Sequence, residues 1–115
     1  MRLDLDLIRK LLLIIEDETN GRKAFTYDHY RKALPLYSSV SIDYHLKYLL
    51  NCGYIEGELW RYVLDITPRG RDYLDSVRNP KIWQQVKDKI HPLDNITLDI
   101  IADVGKMLIS NQLGL

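Results

Sequence analysis

The chain has 115 residues, 46% of them hydrophobic and 28% charged, which supplies one packed core and exceeds what a disordered chain carries. Its 16 basic and 16 acidic side chains cancel, so bulk charge does not hold it to nucleic acid or to an acidic membrane. A single cysteine, Cys52, excludes an internal disulfide framework and fits a reducing cytoplasm, and no apolar run approaches the ~20 residues of a membrane span.

The start, Leu3-Asp4-Leu5-Asp6, alternates as no signal peptide does, so a cytoplasmic location is expected. A first helix is predicted over Leu5–Glu18, with Asp4 as N-cap and Asp6 in the first turn against the helix dipole. Leu5, Leu7, Ile8, Leu11, Leu12, Ile14 and Ile15 cover about half of its circumference, which makes it a central element. Asn20-Gly21 is suited to positive φ and is expected to end it.

Residues 22–37 admit two readings. Thr26 caps a short helix over Tyr27–Leu34 that Pro35 stops, or Phe25, Tyr27, Tyr30 and Tyr37 form an extended segment. The helix is preferred. A third helix runs from Ser39 to Cys52, capped by Ser38 or Ser39 and stopped by Gly53, with Ile42, Leu46, Leu49 and Leu50 inward. A β-hairpin follows: Tyr54-Ile55-Glu56, a tight turn at Gly57-Glu58, then Leu59–Ile66, where Trp60, Tyr62 and Leu64 alternate with Arg61, Val63 and Asp65. Trp60 and Trp83 are most simply core residues, with partial exposure the alternative for Trp60 because it lies near the wing.

Thr67-Pro68 and Asn79-Pro80 are each an N-cap followed by proline at the first helical position, predicting helices over Pro68–Val77 and Pro80–Ile90. Their inward residues are Tyr73, Leu74 and Val77, then Ile82, Trp83, Val86 and Ile90. The last helix is predicted over Ile96–Gln112, with Asp94 and Asn95 as caps. Asp99, Asp103, Lys106 and Ser110 form one narrow polar stripe on it, so most of its girth is apolar and has to be covered.

Helix, short element, helix and two-stranded hairpin is the winged-helix order. The stretch Tyr44-His45-Leu46-Lys47-Tyr48-Leu49-Leu50-Asn51-Cys52-Gly53-Tyr54-Ile55 resembles a third winged-helix helix entering the first wing strand. Asp65-Ile66-Thr67-Pro68-Arg69-Gly70-Arg71-Asp72-Tyr73-Leu74 resembles the second wing strand passing into the next helix. Arg2-Leu3-Asp4-Leu5-Asp6-Leu7-Ile8-Arg9-Lys10, Tyr44-His45-Leu46 and Gln112-Leu113-Gly114-Leu115 further resemble a domain family of unknown function found in bacteria and their prophages. Residues 19–37 depart from that family, whose members have a shorter link there, often read as extended. The resemblance implies a winged helix and a phage or bacterial cytoplasmic setting, and no activity.

The expected fold is α+β, mostly α: a winged helix-turn-helix with a short two-stranded wing and additional C-terminal helices. Residues 1–78 form the winged-helix core and residues 79–115 a C-terminal helical extension, within a single domain overall. The third helix of such a fold enters the major groove, which nominates Ser41, Tyr44, Lys47, Tyr48 and Asn51, with Arg61 from the wing, to meet double-stranded DNA. Asn51 is suited to adenine and Lys47 to guanine or phosphate. Charge argues the other way, since Ser38–Thr67 holds Lys47 and Arg61 against Asp43, Glu56, Glu58 and Asp65, a net of −2. Flanking help is available from Arg22, Lys23, Arg31 and Lys32, and from Arg69 and Arg71.

The alternative is a protein-interaction adaptor, anchored through Val40, Tyr44 and Tyr48. A homodimer through the last helix is also expected, with Ile101, Val104 and Leu108 at its interface. The more ordinary account buries that helix in a groove between the first helix and the two short ones. His29, His45 and His91 lack metal-ligand spacing, no glycine-rich phosphate loop is present, and nothing converges into a catalytic site. No enzyme, metal, cofactor, membrane or small-molecule ligand is expected. His45 reads as a packed, hydrogen-bonded histidine and Cys52 as a small buried hydrophobe.

Overall fold

A computed structural model describes residues 1–18, 27–61, 63–93 and 95–115. Asn20, Gly21, Arg22, Lys23, Phe25, Thr26, Tyr62 and Asp94, to which the sequence assigns roles, lie outside these. The described residues contain α1 (Leu5–Glu18), α2 (Tyr27–Ala33), α3 (Ser39–Asn51), β1 (Ile55–Glu58), β2 (Val63–Ile66), α4 (Pro68–Val77), α5 (Pro80–Ile90) and α6 (Leu98–Gln112). The protein is thus mostly helical α+β, with one two-stranded antiparallel sheet. It divides into two compact units, Met1–Arg71 and Asp72–Leu115.

In the first unit the Asp4 carboxylate caps α1 by accepting the Leu7 N–H at 3.0 Å. Leu7, Ile8, Leu11, Leu12 and Ile15 are fully buried, and α1 lies against α3 and β2. Residues 27–33 are helical rather than extended, with Asp28 in the first turn and Arg31 and Lys32 in the last, the polarity a helix dipole favours. Tyr30 and Leu34 anchor this short helix inward.

Ser38, not Ser39, caps α3: its hydroxyl accepts the Ser41 N–H at 3.1 Å. Ile42, Leu46 and Leu49 are buried, whereas Leu50 is only half-buried. His45 joins them at 1% exposure, and both ring nitrogens are engaged. Nδ1 lies 2.7 Å from the Ser41 carbonyl, and Nε2 accepts the Asp4 N–H at 2.8 Å. Only the neutral ring with its proton on Nδ1 satisfies both contacts. A side chain of α3 thereby holds the start of α1.

The hairpin differs from its sequence reading. The register pairs Ile55 with Ile66, Glu56 with Asp65, Gly57 with Leu64 and Glu58 with Val63, so the first strand continues through the expected turn. Gly57 sits inside the ribbon at φ +123°, a backbone angle that side chains disfavour, and the reversal falls on a 3-10 turn at Leu59–Arg61. Trp60 therefore leaves the strand alternation. It is 77% exposed, not in the core, while Trp83 is buried as expected.

Thr67 fastens the ribbon to the helices on either side. Its hydroxyl donates to the Gly53 carbonyl at 2.6 Å and accepts the Gly70 N–H at 3.0 Å, capping α4. Gly70 passes so close to the Tyr54 carbonyl that a Cβ there would overlap it.

In the second unit Asn79 caps α5, its side-chain oxygen accepting the N–H groups of Lys81 and Ile82. Tyr73, Leu74, Val77, Ile82, Trp83, Val86 and Ile90 are all buried, as their spacing predicts. α6 begins at Leu98 with Thr97 as its cap; Asn95 instead takes a left-handed φ of 59°, which removes it from the cap role read from sequence. The inward side of α6 is Leu98, Ile101, Ala102 and Gly105, and a Cβ on Gly105 would overlap the Ser76 carbonyl. Ile101, nominated for a partner interface, is therefore interior. Val104 and Leu108 are half-buried, and the exposed apolar positions are Ile100 and Met107.

His45→Ala removes the acceptor of the half-buried Asp4 N–H and leaves a cavity where the imidazole is buried, so it is expected to lower stability by about 2–4 kcal/mol in urea unfolding. In the unaltered protein, nitrogen-15 correlation spectra are expected to show the Nδ1–H tautomer of His45; the opposite tautomer would mean the two contacts are not as described.

Candidate functional site

The inward turn of Ile42, His45, Leu46 and Leu49 fixes the rotation of α3, and so decides what the helix shows to solvent. Val40, Tyr44, Lys47 and Asn51 are exposed. Ser41 and Tyr48 are half-buried, and the Ser41 carbonyl is taken by His45. Burial pushes the Tyr48 hydroxyl above the ordinary tyrosine range, helped by the repulsion a phenolate would meet from an ionised Cys52 and by a hydrogen bond to Cys52 one turn away. The nominated recognition residues therefore do share one accessible side, with Ser41 and Tyr48 at its margins.

The 3-10 turn of the ribbon stands beside this side. Val40, Asp43, Tyr44 and Lys47 from α3 and Leu59 and Trp60 from the turn line an open groove of about 550 Å³. Val40 is 66% exposed and Tyr44 38%, so together with Trp60 they form a mainly apolar patch. The strand reading of Leu59 and Trp60 conceals this patch in the sequence. The signal that exposes it is Gly57, whose positive φ is used within the strand and defers the reversal.

The basic residues near this face are mostly committed to internal contacts. Arg61 forms an ion pair with Glu58 at 2.8 Å and lies 5.2 Å over the Trp60 ring. Arg69 donates to the Cys52 carbonyl at 2.9 Å and to the Tyr54 hydroxyl at 3.3 Å, with its guanidinium 4.5 Å over the Tyr54 ring. Arg71 pairs with Glu16 at 2.9 Å. Lys47 is in no ion pair among the described residues.

On the ribbon, Ile55, Leu64 and Ile66 are buried, and the alternate positions Glu56, Glu58 and Asp65 lie on the opposite side. Glu56 is paired with Asp65 across the strands, a like-charge register, and the Asp65 carboxylate accepts the Ile66 N–H at 2.8 Å. A second apolar hollow of about 340 Å³ is lined by residues including Leu13, Ile14, Leu34, Pro35 and Tyr37, with Lys10 at its edge, 5.5 Å over the Tyr37 ring.

Among the described residues, no group of three or more His, Cys, Asp or Glu side chains is placed to hold a metal ion. No described helix is long and apolar enough to cross a membrane.

These features define a small, mostly helical α+β protein with an accessible helix beside a two-stranded ribbon. The chain belongs to the family described as "Hypothetical protein (DUF2513)", whose model matches residues 2–94, ending before α6. It is similar to an uncharacterised protein of Haemophilus influenzae, 29% identical over 121 aligned positions that take in 98% of this chain and 99% of that one. No solved structure matches it.

The two tryptophans separate surface from core. Trp60→Ala is expected to change stability by less than about 0.5 kcal/mol, whereas Trp83→Ala should cost about 3–5 kcal/mol, both read from urea unfolding. A large destabilisation by Trp60→Ala would place that ring in the core after all.

Proposed function

We propose that Met1–Arg71 is a winged-helix domain, with α1 to α3 as its helices and the ribbon as its wing, and that it is a binding module rather than an enzyme. Protein is the partner class proposed for the face shared by α3 and the turn. The observation that carries this is the exposed Trp60 beside Val40 and Tyr44, within a segment, Ser38–Thr67, that carries no net positive charge. Exposed tryptophan is characteristic of interface anchors, and a phosphate backbone is held by an excess of cations that this segment does not carry. Internal contacts of Arg61, Arg69 and Arg71 occupy three of the cations a nucleic acid would use. Catalysis has little to work with, as His45 spends both ring nitrogens on main-chain groups.

Duplex DNA is the second reading, in the manner of a phage or bacterial transcriptional regulator. It is favoured by the accessible row of Tyr44, Lys47 and Asn51, with Ser41 and Tyr48 beside it, and by exposed Arg31 and Lys32 on α2. A labelled mixed-sequence duplex titrated across a salt series separates the two. Protein docking predicts no saturable binding even at low salt. Binding that weakens steeply with salt would establish the DNA reading instead, and Lys47→Ala would then make the log–log salt slope shallower by about 0.9, the share of one neutralised phosphate.

A homodimer through α6 is also proposed, on a revised surface. Ile100, Val104 and Met107 are spaced i, i+4 and i+7, and Ile100 and Met107 are half-exposed at 50% and 47%. Equilibrium sedimentation is expected to give twice the chain mass for the unaltered protein and the chain mass for Met107→Asp. A monomer at every concentration would dispose of the dimer.

A further inference from the structure

We propose that the hollow between α1 and the link from α2 to α3 binds an unbranched alkyl carboxylate of medium length, its chain inside and its carboxylate on Lys10. The site lies apart from the groove beside α3 and does not depend on the protein-docking reading. Its lining comes from two sources. α1 turns Leu7, Ile8, Leu11, Leu12 and Ile15 fully inward, which leaves Leu13 and Ile14 half-buried on its flank. The link supplies the rest and is held in one shape, since the Tyr37 N–H donates to the Leu34 carbonyl at 3.2 Å and Pro35 between them has a fixed φ. Leu34 is buried, whereas Leu36, which also lines the hollow, is 93% exposed. The apolar space is therefore built before any ligand enters it.

Size and charge select the occupant. A space of about 340 Å³ holds on the order of ten groups the size of a water or a methylene, which suits an alkyl chain of about eight carbons with its carboxylate. The polar part has one sign. Lys10 is the only charged residue lining the hollow among those described, and its ammonium sits 5.5 Å over the Tyr37 ring. It forms no ion pair among the described residues, not even with Asp6 one turn before it on α1. An ammonium without a carboxylate partner at the edge of an apolar space attracts an anionic head group and repels a cationic one. The chain fixes where the ligand lies, and Lys10 fixes its sign.

The test titrates the full chain with octanoate, hexanoate, octanol and octyltrimethylammonium, each below its aggregation concentration, and follows backbone amides in nitrogen-15 correlation spectra. Octanoate is expected to bind saturably and to shift the amides of Leu13, Ile14, Ala33, Leu36 and Tyr37. Hexanoate should bind about tenfold more weakly, the worth of two methylenes left in water. Octanol should bind severalfold more weakly than octanoate, and octyltrimethylammonium should leave these amides in place. Lys10→Gln, at an exposed position, should lower octanoate to the level of octanol without moving the urea midpoint.

Octanol binding as tightly as octanoate, or octanoate affinity untouched by Lys10→Gln, would overturn the proposal by removing the anionic selection. Shifts spread evenly over the chain, or no saturation, would overturn it as surfactant action or as no site at all. If the same amides move with protein concentration alone, a second copy covers the hollow and the carboxylate reading falls.

Discussion

The first unit depends on one neutral imidazole. His45 reaches from α3 to accept the Asp4 N–H, 41 positions earlier, while its other nitrogen is held by the Ser41 carbonyl a turn behind. Asp4 contributes twice, its main chain donating to His45 and its carboxylate capping α1. An N–H at a helix start has no partner within its own helix, and burying it unmatched would cost about 1–3 kcal/mol. The imidazole supplies that partner and so fixes both the start of α1 and the rotation of α3. With Ile42, Leu46 and Leu49 turned inward beside it, Val40, Tyr44, Lys47 and Asn51 have only the outward side left. The composition of the exposed face is thus set from within.

A second fastening sets the ribbon. Thr67 bridges the end of α3 to the start of α4, and Arg69 adds hydrogen bonds to Cys52 and Tyr54 at the same corner. Because Gly70 lets α4 pass against the Tyr54 carbonyl, the strand that follows Tyr54 leaves the corner in one direction. This fastening has an electrostatic consequence. Arg69 and Arg71 flank the ribbon in sequence, yet their guanidinium groups turn to Tyr54, Cys52 and Glu16. A charge count along the chain treats every arginine as available, whereas the fold assigns most of these to its own scaffolding.

Much of the fold is legible in the sequence because its signals are local. Asp4, Ser38, Asn79-Pro80 and Thr67-Pro68 mark helix starts by hydrogen-bonding chemistry that needs only the next two or three residues. The inward residues of α1, α4 and α5 follow from spacing alone. The hairpin turn is not legible in the same way. Gly57-Glu58 has the composition of a tight turn, but pairing Ile55 with Ile66 and Leu64 with Gly57 buries three apolar side chains on one face, and that long-range gain moves the reversal to Leu59–Arg61. Trp60 follows the turn out to solvent, so the most informative residue of the candidate site is the one whose position tertiary structure decides. α6 shows the same limit: a nearly all-apolar helix does not reveal which stripe faces inward until Gly105 meets the Ser76 carbonyl.

The ribbon departs from what stability alone would select. Replacing Glu56 by a β-branched or neutral residue would remove a repulsive cross-strand pair and put a better strand former in an exposed position. A chain whose other local choices agree with its fold, through its caps, its buried faces and its glycine at a close approach, makes this conflict stand out. Local conflicts of that kind collect where a surface serves something outside the fold. Here the conflict lies on the ribbon that carries Trp60, next to the accessible side of α3, and not on α5 or in the interior of α1. An exposed indole and a like-charge register thus fall on one short ribbon, whose turn is placed by the burial of Ile55, Leu64 and Ile66 and not by the local preference of Gly57-Glu58.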